Sequence, residues 1–388
     1  MRKLAFIIPL CLALMIILSY GCVEEFHPRT NIQERGMIVV DGNINNGLMT
    51  VYLSKSIGIG DTFWVEDYHI KDATVEVESS LGATVQGRHM GEGCYQIDMG
   101  ELDEGAEYRL TFTTGGKHYA SSFMPCLKSN PIDSLSYTQQ GFDGDVNVRL
   151  TTRGEEDPSE EDYYLWSYRE DWEVTAELFA DASFGKFIGN GIHEIRRHTK
   201  DDNIYYCWGK DSSNTLIIGS TEELSDHVIR GKTIKSIPSD NDRISCLYHI
   251  QVYQMRISKA GYIYRKQMLD NVEKAGGIFS PIFGVSLGGN ITCLDDPTER
   301  VIGYVDVGNV VTKDIYISSD DVIYNQPSWD CTIYNLDPNA SKNWVDVVGY
   351  YWLHYDTNEY VKDGQCVDCR IREKASKDKP AWWPTTHI

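Results

Sequence analysis

The stretch "LYHIQVYQMRISKAGYIYRKQMLDNVEKAGG", residues 247–277, decides how the chain is read. From Tyr248 to Ile257 apolar and polar side chains alternate, the period of a strand with one buried face. At Ser258 the pattern turns helical, with Ser258 as N-cap and Gly276 or Gly277 as the left-handed C-cap. Ile263, Lys266, Met268, Leu269 and Val272 form the expected apolar stripe, diluted by lysine stems. The words that follow, "GIFSPIF", "GGNI" and "ERVIGYVDVG", are short apolar runs cut by glycine. No other long helical segment is read outside the N-terminal leader. A single amphipathic helix on a sheet-rich domain has to cover an open face or edge.

Composition agrees with a β-rich chain. Of 388 residues, 41% are hydrophobic and 11% aromatic, enough for packed cores and against global disorder. The 24 Tyr and 33 Gly, with only 12 Pro, suit strands joined by tight turns. A formal charge of -21 argues against nucleic acid as a partner, because phosphate contacts need a Lys/Arg footprint. Acidity otherwise keeps a protein soluble and names no partner.

Residues 1–21 read as a lipoprotein signal peptide: Arg2 and Lys3, an apolar run from Leu4 to Leu18, then small residues before a cysteine. The run is short of the roughly 20 residues a spanning helix needs. Its ending, "LSYGC", resembles a bacterial lipobox, which makes Cys22 the site of lipid attachment and anchors the chain to a membrane. Leucine stands at Leu18, one place earlier than the usual pattern has it; the alternative is a plain signal peptidase site. Glu24 and Glu25 look like the start of a surface-export signal, and residues 22–35 read as a tether.

Residues 36–126 alternate in short runs, as in "MTVYLSKS" and "ATVEVESS", and predict six or seven strands. The expected fold is mainly β: an N-terminal immunoglobulin/fibronectin-like β-sandwich, then a larger β-rich domain carrying one long helix. Residues 127–141 read as a linker, 142–370 as the second domain with its helix near 258–275, and 371–388 as a tail.

Candidate chemistry is sparse. "DYYLWSYREDWEVTAEL" sets Tyr164, Trp166, Tyr168 and Trp172 on one strand face, either an aromatic ligand platform or a core strand. Trp166, Trp172, Trp382 and Trp383 are the candidate ligand-facing aromatics. Beyond Cys11 and Cys22, eight cysteines suit disulfides. Cys366 and Cys369 lack the second pair of a zinc site and the βαβ context of a redox motif. At least one of them is expected to reach Cys331 or Cys293, and Cys94 is expected to pair with Cys126. No nucleophile elbow, zinc-protease helix or phosphate loop is present. No catalytic residue, metal or cofactor is therefore assigned.

Several words resemble one bacterial family. They are "IVVDGNI", "DYYLWSYREDWEV", Gly289-Asn290-Ile291, Gly303-Tyr304, and Cys366-x-x-Cys369-Arg370 followed by "KPAWW". Together they are similar to outer-membrane lipoproteins of the Bacteroidota known as domain of unknown function 4249. The chain departs from that pattern at "REKASKD" and at Trp382, where phenylalanine is usual. The resemblance implies an outer-membrane lipoprotein, usually encoded beside a TonB-dependent receptor, with no established enzymatic activity. With the acidic Glu24 and Glu25, the expectation is a non-enzymatic protein facing the cell exterior, partner to such a receptor, with an unknown ligand. The alternatives are a cell-surface glycan hydrolase with an unplaced Asp/Glu pair and a structural or adhesion protein of the envelope. Metabolic labelling with an alkyne fatty acid is expected to mark the wild-type chain and not Cys22→Ala; label retained by the variant would contradict lipidation at Cys22.

Overall fold

A computed structural model describes residues 36–57, 68–155, 161–189, 192–199, 203–275, 289–327, 329–335, 351–354 and 359–384. The signal peptide at 1–21, Cys22 and the tether at 22–35 lie outside the described residues, as do Gly276, Gly277 and "GIFSPIF".

Alternating sequence produces the first sandwich. Its strands are β1 (Ile38–Asp41), β2 (Leu48–Lys55), β3 (Thr74–Ser79), β4 (Thr84–Gln86), β5 (Arg88–Gly91), β6 (Cys94–Asp98), β7 (Glu107–Thr114), β8 (Lys117–Ser121) and β9 (Met124–Pro125). Met49, Val51 and Leu53 of β2, Val75 and Val77 of β3, and Leu110 and Phe112 of β7 turn inward to one core.

The second sandwich starts inside the stretch read as a linker. β10 (Ile132–Gln139) pairs with β11 (Val146–Arg153), which pairs with β17 (Val228–Ile237) in a three-stranded sheet. That sheet packs on a longer one whose centre is β12 (Tyr163–Thr175). Along the longer sheet the order is β21 (Val310–Ser318), β18 (Leu247–Ile257), β12, β15 (Tyr206–Ser212) and β25 (Ala375–Ser376), with β16 (Ile217–Ser220) also on β12. Tyr164, Trp166, Tyr168 and Trp172 face the core between the two sheets. Gly209 stands opposite Trp172, and a methyl there would overlap the indole. A smaller sheet combines β13 (Ala182–Gly189), β14 (Ile192–Arg197), β22 (Tyr334–Asn335), β23 (Tyr351–His354) and β24 (Glu359–Val361).

The helix α1 (Lys259–Ala275) starts where the sequence places it, and the Gly261 N–H donates to Ser258 Oγ at 3.0 Å. Its buried face differs from the expected stripe. Ile263, Lys266 and Met268 are exposed, whereas Gly261, Tyr264 and Arg265 are buried. The reason is a carboxylate. Asp306 is fully buried and accepts from Arg265 Nη1 at 2.6 Å, Ser258 Oγ at 2.6 Å and the Ser258 N–H at 2.9 Å. A side chain on Gly261 would collide with that carboxylate.

Asp306 belongs to a segment that leaves the second sandwich and returns to the first. β19 (Ile291–Cys293) pairs with β8, and β20 (Val301–Ile302) runs parallel to β1. Ile291, Cys293, Val301, Val305 and Val307 join the first core, so the first sandwich is not confined to 36–126. The Ile44 N–H donates to Asp306 O at 2.9 Å, and Asn43 Oδ1 accepts from the Asp306 N–H at 3.1 Å and from Arg265 Nη2 at 2.7 Å. Asp306 thus ties three parts together, its carboxylate holding the helix and its backbone holding the β1–β2 turn.

The cysteines meet one expectation, a bond from the Cys366/Cys369 pair to Cys331, and not the other, a bond between Cys94 and Cys126. Cys366 bonds to Cys331, and Cys369 bonds to Cys207 across 162 residues. Cys94 and Cys126 are free. Cys94 lies on β6 on the face opposite to inward-pointing Tyr95 and Ile97, while the buried Cys126 donates to Asn309 Oδ1 at 3.9 Å. Cys293 is also free, carried into the first core by the returning segment.

Replacing Asp306 with alanine leaves the Arg265 guanidinium buried without its counter-charge, and is expected to lower stability by about 3–5 kcal/mol in urea denaturation. Asp226→Ala, which removes the exposed pair with Arg230, is expected to leave the midpoint unchanged. Equal effects of the two would contradict this assignment.

Candidate functional site: the outer face of the six-stranded sheet

Strand alternation positions this site. Because Tyr164, Trp166, Tyr168 and Trp172 of β12 point into the core, Ser167, Arg169 and Asp171 point the other way. Antiparallel register then lays residues of four strands in rows. Lys210, Asp171, His249 and Tyr316 form one row; Ser212, Arg169, Gln251 and Asp314 form the next.

Both ends of this outer face are covered. At one end the tail folds back, burying Trp383 against Trp208 and Leu247 while its indole N–H donates to Glu173 Oε2 at 3.2 Å. At the other end lie α1 and the first sandwich, where Tyr264 and Arg265 meet Val40 and Gly303 around a smaller crevice. Between them is an open cleft of about 840 Å³, lined by the two rows, Tyr253 and Trp382.

His249 is the focus of the cleft. Its side chain is 10% exposed; Nε2 stands 3.3 Å from Asp314 Oδ2 and Nδ1 stands 3.9 Å from Asp171 Oδ2. The rings of Tyr316 and Trp382 lie 4.6 Å and 4.7 Å from the imidazole. Arg169 lies over the Tyr253 ring at 5.7 Å. Among the described residues no cluster of His, Cys, Asp and Glu is arranged to hold a metal ion.

The floor is stiffened from the core side. Glu170 is buried, and a lone carboxylate there would be costly. Lys235 Nζ at 3.2 Å and Arg243 Nε at 3.3 Å neutralise it, and the Tyr248 hydroxyl donates to it at 2.6 Å. Burial, then the Glu170 charge, push the Tyr248 phenol well above its ordinary range. Arg243 also lies over the Trp172 ring at 4.5 Å and reaches Asp211 at 2.9 Å. Burial works to raise the Asp211 carboxyl, but hydrogen bonds from Lys374 and the Ser212 N–H, together with Arg243, hold it below the usual carboxylate range. That contribution to stability is present above the ordinary carboxylate range and is lost as pH falls through the depressed value.

Of the four tryptophans singled out from the sequence, Trp166 and Trp172 are core residues and face no ligand. Trp383 is buried too, and only Trp382, half exposed, reaches the cleft. Arg169, Asp171, His249, Gln251 and Asp314 were not singled out. Their signal was the polar half of the alternation in "WSYREDW" and "LYHIQVYQ".

The profile of the family described as "Domain of unknown function (DUF4249)" matches residues 23–314, and the chain belongs to that family. No curated protein matches its sequence. A solved structure described as "Biofilm associated protein - BSP domain" aligns at 6% identity and a TM-score of 0.11, covering 75% of this chain and 62% of that one. A likeness that low carries no argument about fold or role.

Trp383→Ala removes a buried indole and is expected to cost about 3–5 kcal/mol. Trp382→Ala, at 50% exposure, is expected to cost well under half of that in the same denaturation experiment. The reverse order would contradict the placement of the tail.

Proposed function

We propose that this member of the family is a non-enzymatic, lipid-anchored binding protein of the outer membrane, facing the cell exterior and working beside a TonB-dependent transporter. The observation that carries the binding role is the open cleft on the six-stranded sheet, walled at both ends and floored by a fixed charge network. A site on strands holds its side chains more firmly than one on loops, which lowers the ordering cost of binding. Mixed aromatic, cationic, anionic and amide side chains suit a polar ligand with a flat apolar face. The membrane anchor and the transporter rest on the lipobox-like "LSYGC" and on the family resemblance.

The hydrolase alternative has one specific observation to stand on: of the four acidic residues lining the cleft, Glu170 and Asp211 are ion-paired with Lys and Arg, while Asp171 and Asp314 flank His249. A glycosidase needs its carboxyl groups to face each other across the scissile bond. Here the buried His249 ring occupies the space between them, with one carboxylate beside each ring nitrogen. This arrangement favours binding over bond cleavage.

Co-purification from detergent-solubilised membranes tests the partnership. The chain is expected to bring down a TonB-dependent transporter in stoichiometric amount. Repeated recovery of the chain alone, under conditions that keep other transporter complexes intact, would contradict the proposal.

A further inference from the structure

Three neighbours in one row of the cleft can all donate hydrogen bonds. Ser212 and Gln251 stand directly opposite Arg169 on β15 and β18, one strand spacing, about 4.8 Å, to either side. Arg169 and Ser212 are exposed and Gln251 is half-buried, so a ligand in the cleft can reach all three. The Arg169 guanidinium lies over the Tyr253 ring at 5.7 Å, and the Tyr253 hydroxyl donates to Gln251 Oε1 at 2.7 Å. The ring contact steadies the guanidinium without using its five N–H groups, and the hydroxyl takes up the amide oxygen of Gln251 while leaving its two amide hydrogens to donate. Among the described residues Arg169 has no carboxylate partner. The acids of the cleft are engaged elsewhere: Glu170 with Lys235 and Arg243, Asp211 with Arg243 and Lys374, and Asp171 and Asp314 beside His249.

A planar cation flanked by two neutral donors calls for a ligand group that accepts and carries negative charge. A carboxylate does both, and its two coplanar oxygens match the guanidinium fork. A phosphate also accepts, but at a given distance Asp171 and Asp314 repel a dianion twice as strongly as a monoanion. On the neighbouring side of the cleft Tyr316 and Trp382, 39% and 50% exposed, offer an aromatic wall to the rest of the ligand.

We infer that the cleft recognises a small organic acid, its carboxylate held by Arg169 with Gln251 and Ser212 and its flat carbon body against Trp382 and Tyr316. The inference rests on the binding reading of this cleft and adds the ligand class to it.

The test compares benzoate with benzamide, which share a shape and differ in charge. Each is titrated at neutral pH into the full chain in detergent, and the indole resonance of Trp382, assigned with Trp382→Phe, is followed. Benzoate is expected to bind at least about tenfold more tightly than benzamide, the worth of one charge-assisted hydrogen bond. Arg169→Gln is expected to erase that preference while benzamide still shifts Trp382, which separates loss of the charge from loss of fold. Arg230→Gln, which removes a cation from another sheet, is expected to keep it. Inorganic phosphate at the same concentration is expected not to displace benzoate; displacement would overturn the choice of a singly charged acid. Equal binding of the two probes by the wild type, a preference that survives Arg169→Gln, or one that is lost in Arg230→Gln would overturn the carboxylate seat and leave the cleft as a binding site. Binding of neither probe at millimolar concentration would overturn the binding reading of the cleft as well.

Discussion

Asp306 is the constraint on which the rest of the molecule depends. Its carboxylate is fully buried, so its charge has to be met from several directions. Arg265 answers from the helix, Ser258 from the helix start, and the backbone beside it is held by Asn43 and Ile44 of the first sandwich. Removing Asp306 leaves the Arg265 guanidinium buried without its counter-charge. The two sandwiches are therefore joined by a polar network as well as by the returning segment that completes the first core. The helix does cover a junction, as a lone helix on a sheet-rich chain must, but it is held there by a charge more than by an apolar stripe.

That arrangement decides where the outer face of the six-stranded sheet stays open. The helix and the first sandwich take one end; the tail takes the other. The tail is fixed by the Cys207–Cys369 bond, by the pairing of β25 with β15, and by the burial of Trp383. A disulfide closing so long a loop is worth about 2–4 kcal/mol, which helps keep an otherwise short terminal segment in place. What remains exposed between the two ends is the polar row of four strands. The buried pairs of Glu170 beneath it make the floor rigid without presenting their own charge to solvent.

Much of the local structure was legible from residue order. The alternation of "ATVEVESS" gives the inward Val75 and Val77, and Ser258 caps the helix, because both are decided within a few residues. The mainly β class followed from the same short-range patterns. What was not legible depends on contacts far apart in sequence. Thr292 pairs with Ala120, and Cys369 pairs with Cys207; no local signal encodes either. Arg265 reads as a solvent-facing helix residue until Asp306 is placed beside it. Trp166 and Trp172 illustrate the same limit: alternation shows that they share a face, and only the packing of the three-stranded sheet shows that the face is buried. The residues of the cleft were passed over because each is an ordinary polar side chain on a strand, and it is the register of four strands that brings them together. Two words of the family resemblance fall on the seam: Asn290 exchanges hydrogen bonds with Val305, and the Tyr304 ring lies tilted against Tyr264.

Native-state hydrogen exchange on the full chain tests most directly whether the two sandwiches form one unit around Asp306. If they do, the Ile44 amide, bonded to Asp306 O, opens with the same free energy as the amides of β12 and β18, in a single cooperative event. Exchange at Ile44 and along β1 at much lower free energy, with β12 and β18 still protected, would contradict it and would make the sandwiches independent domains.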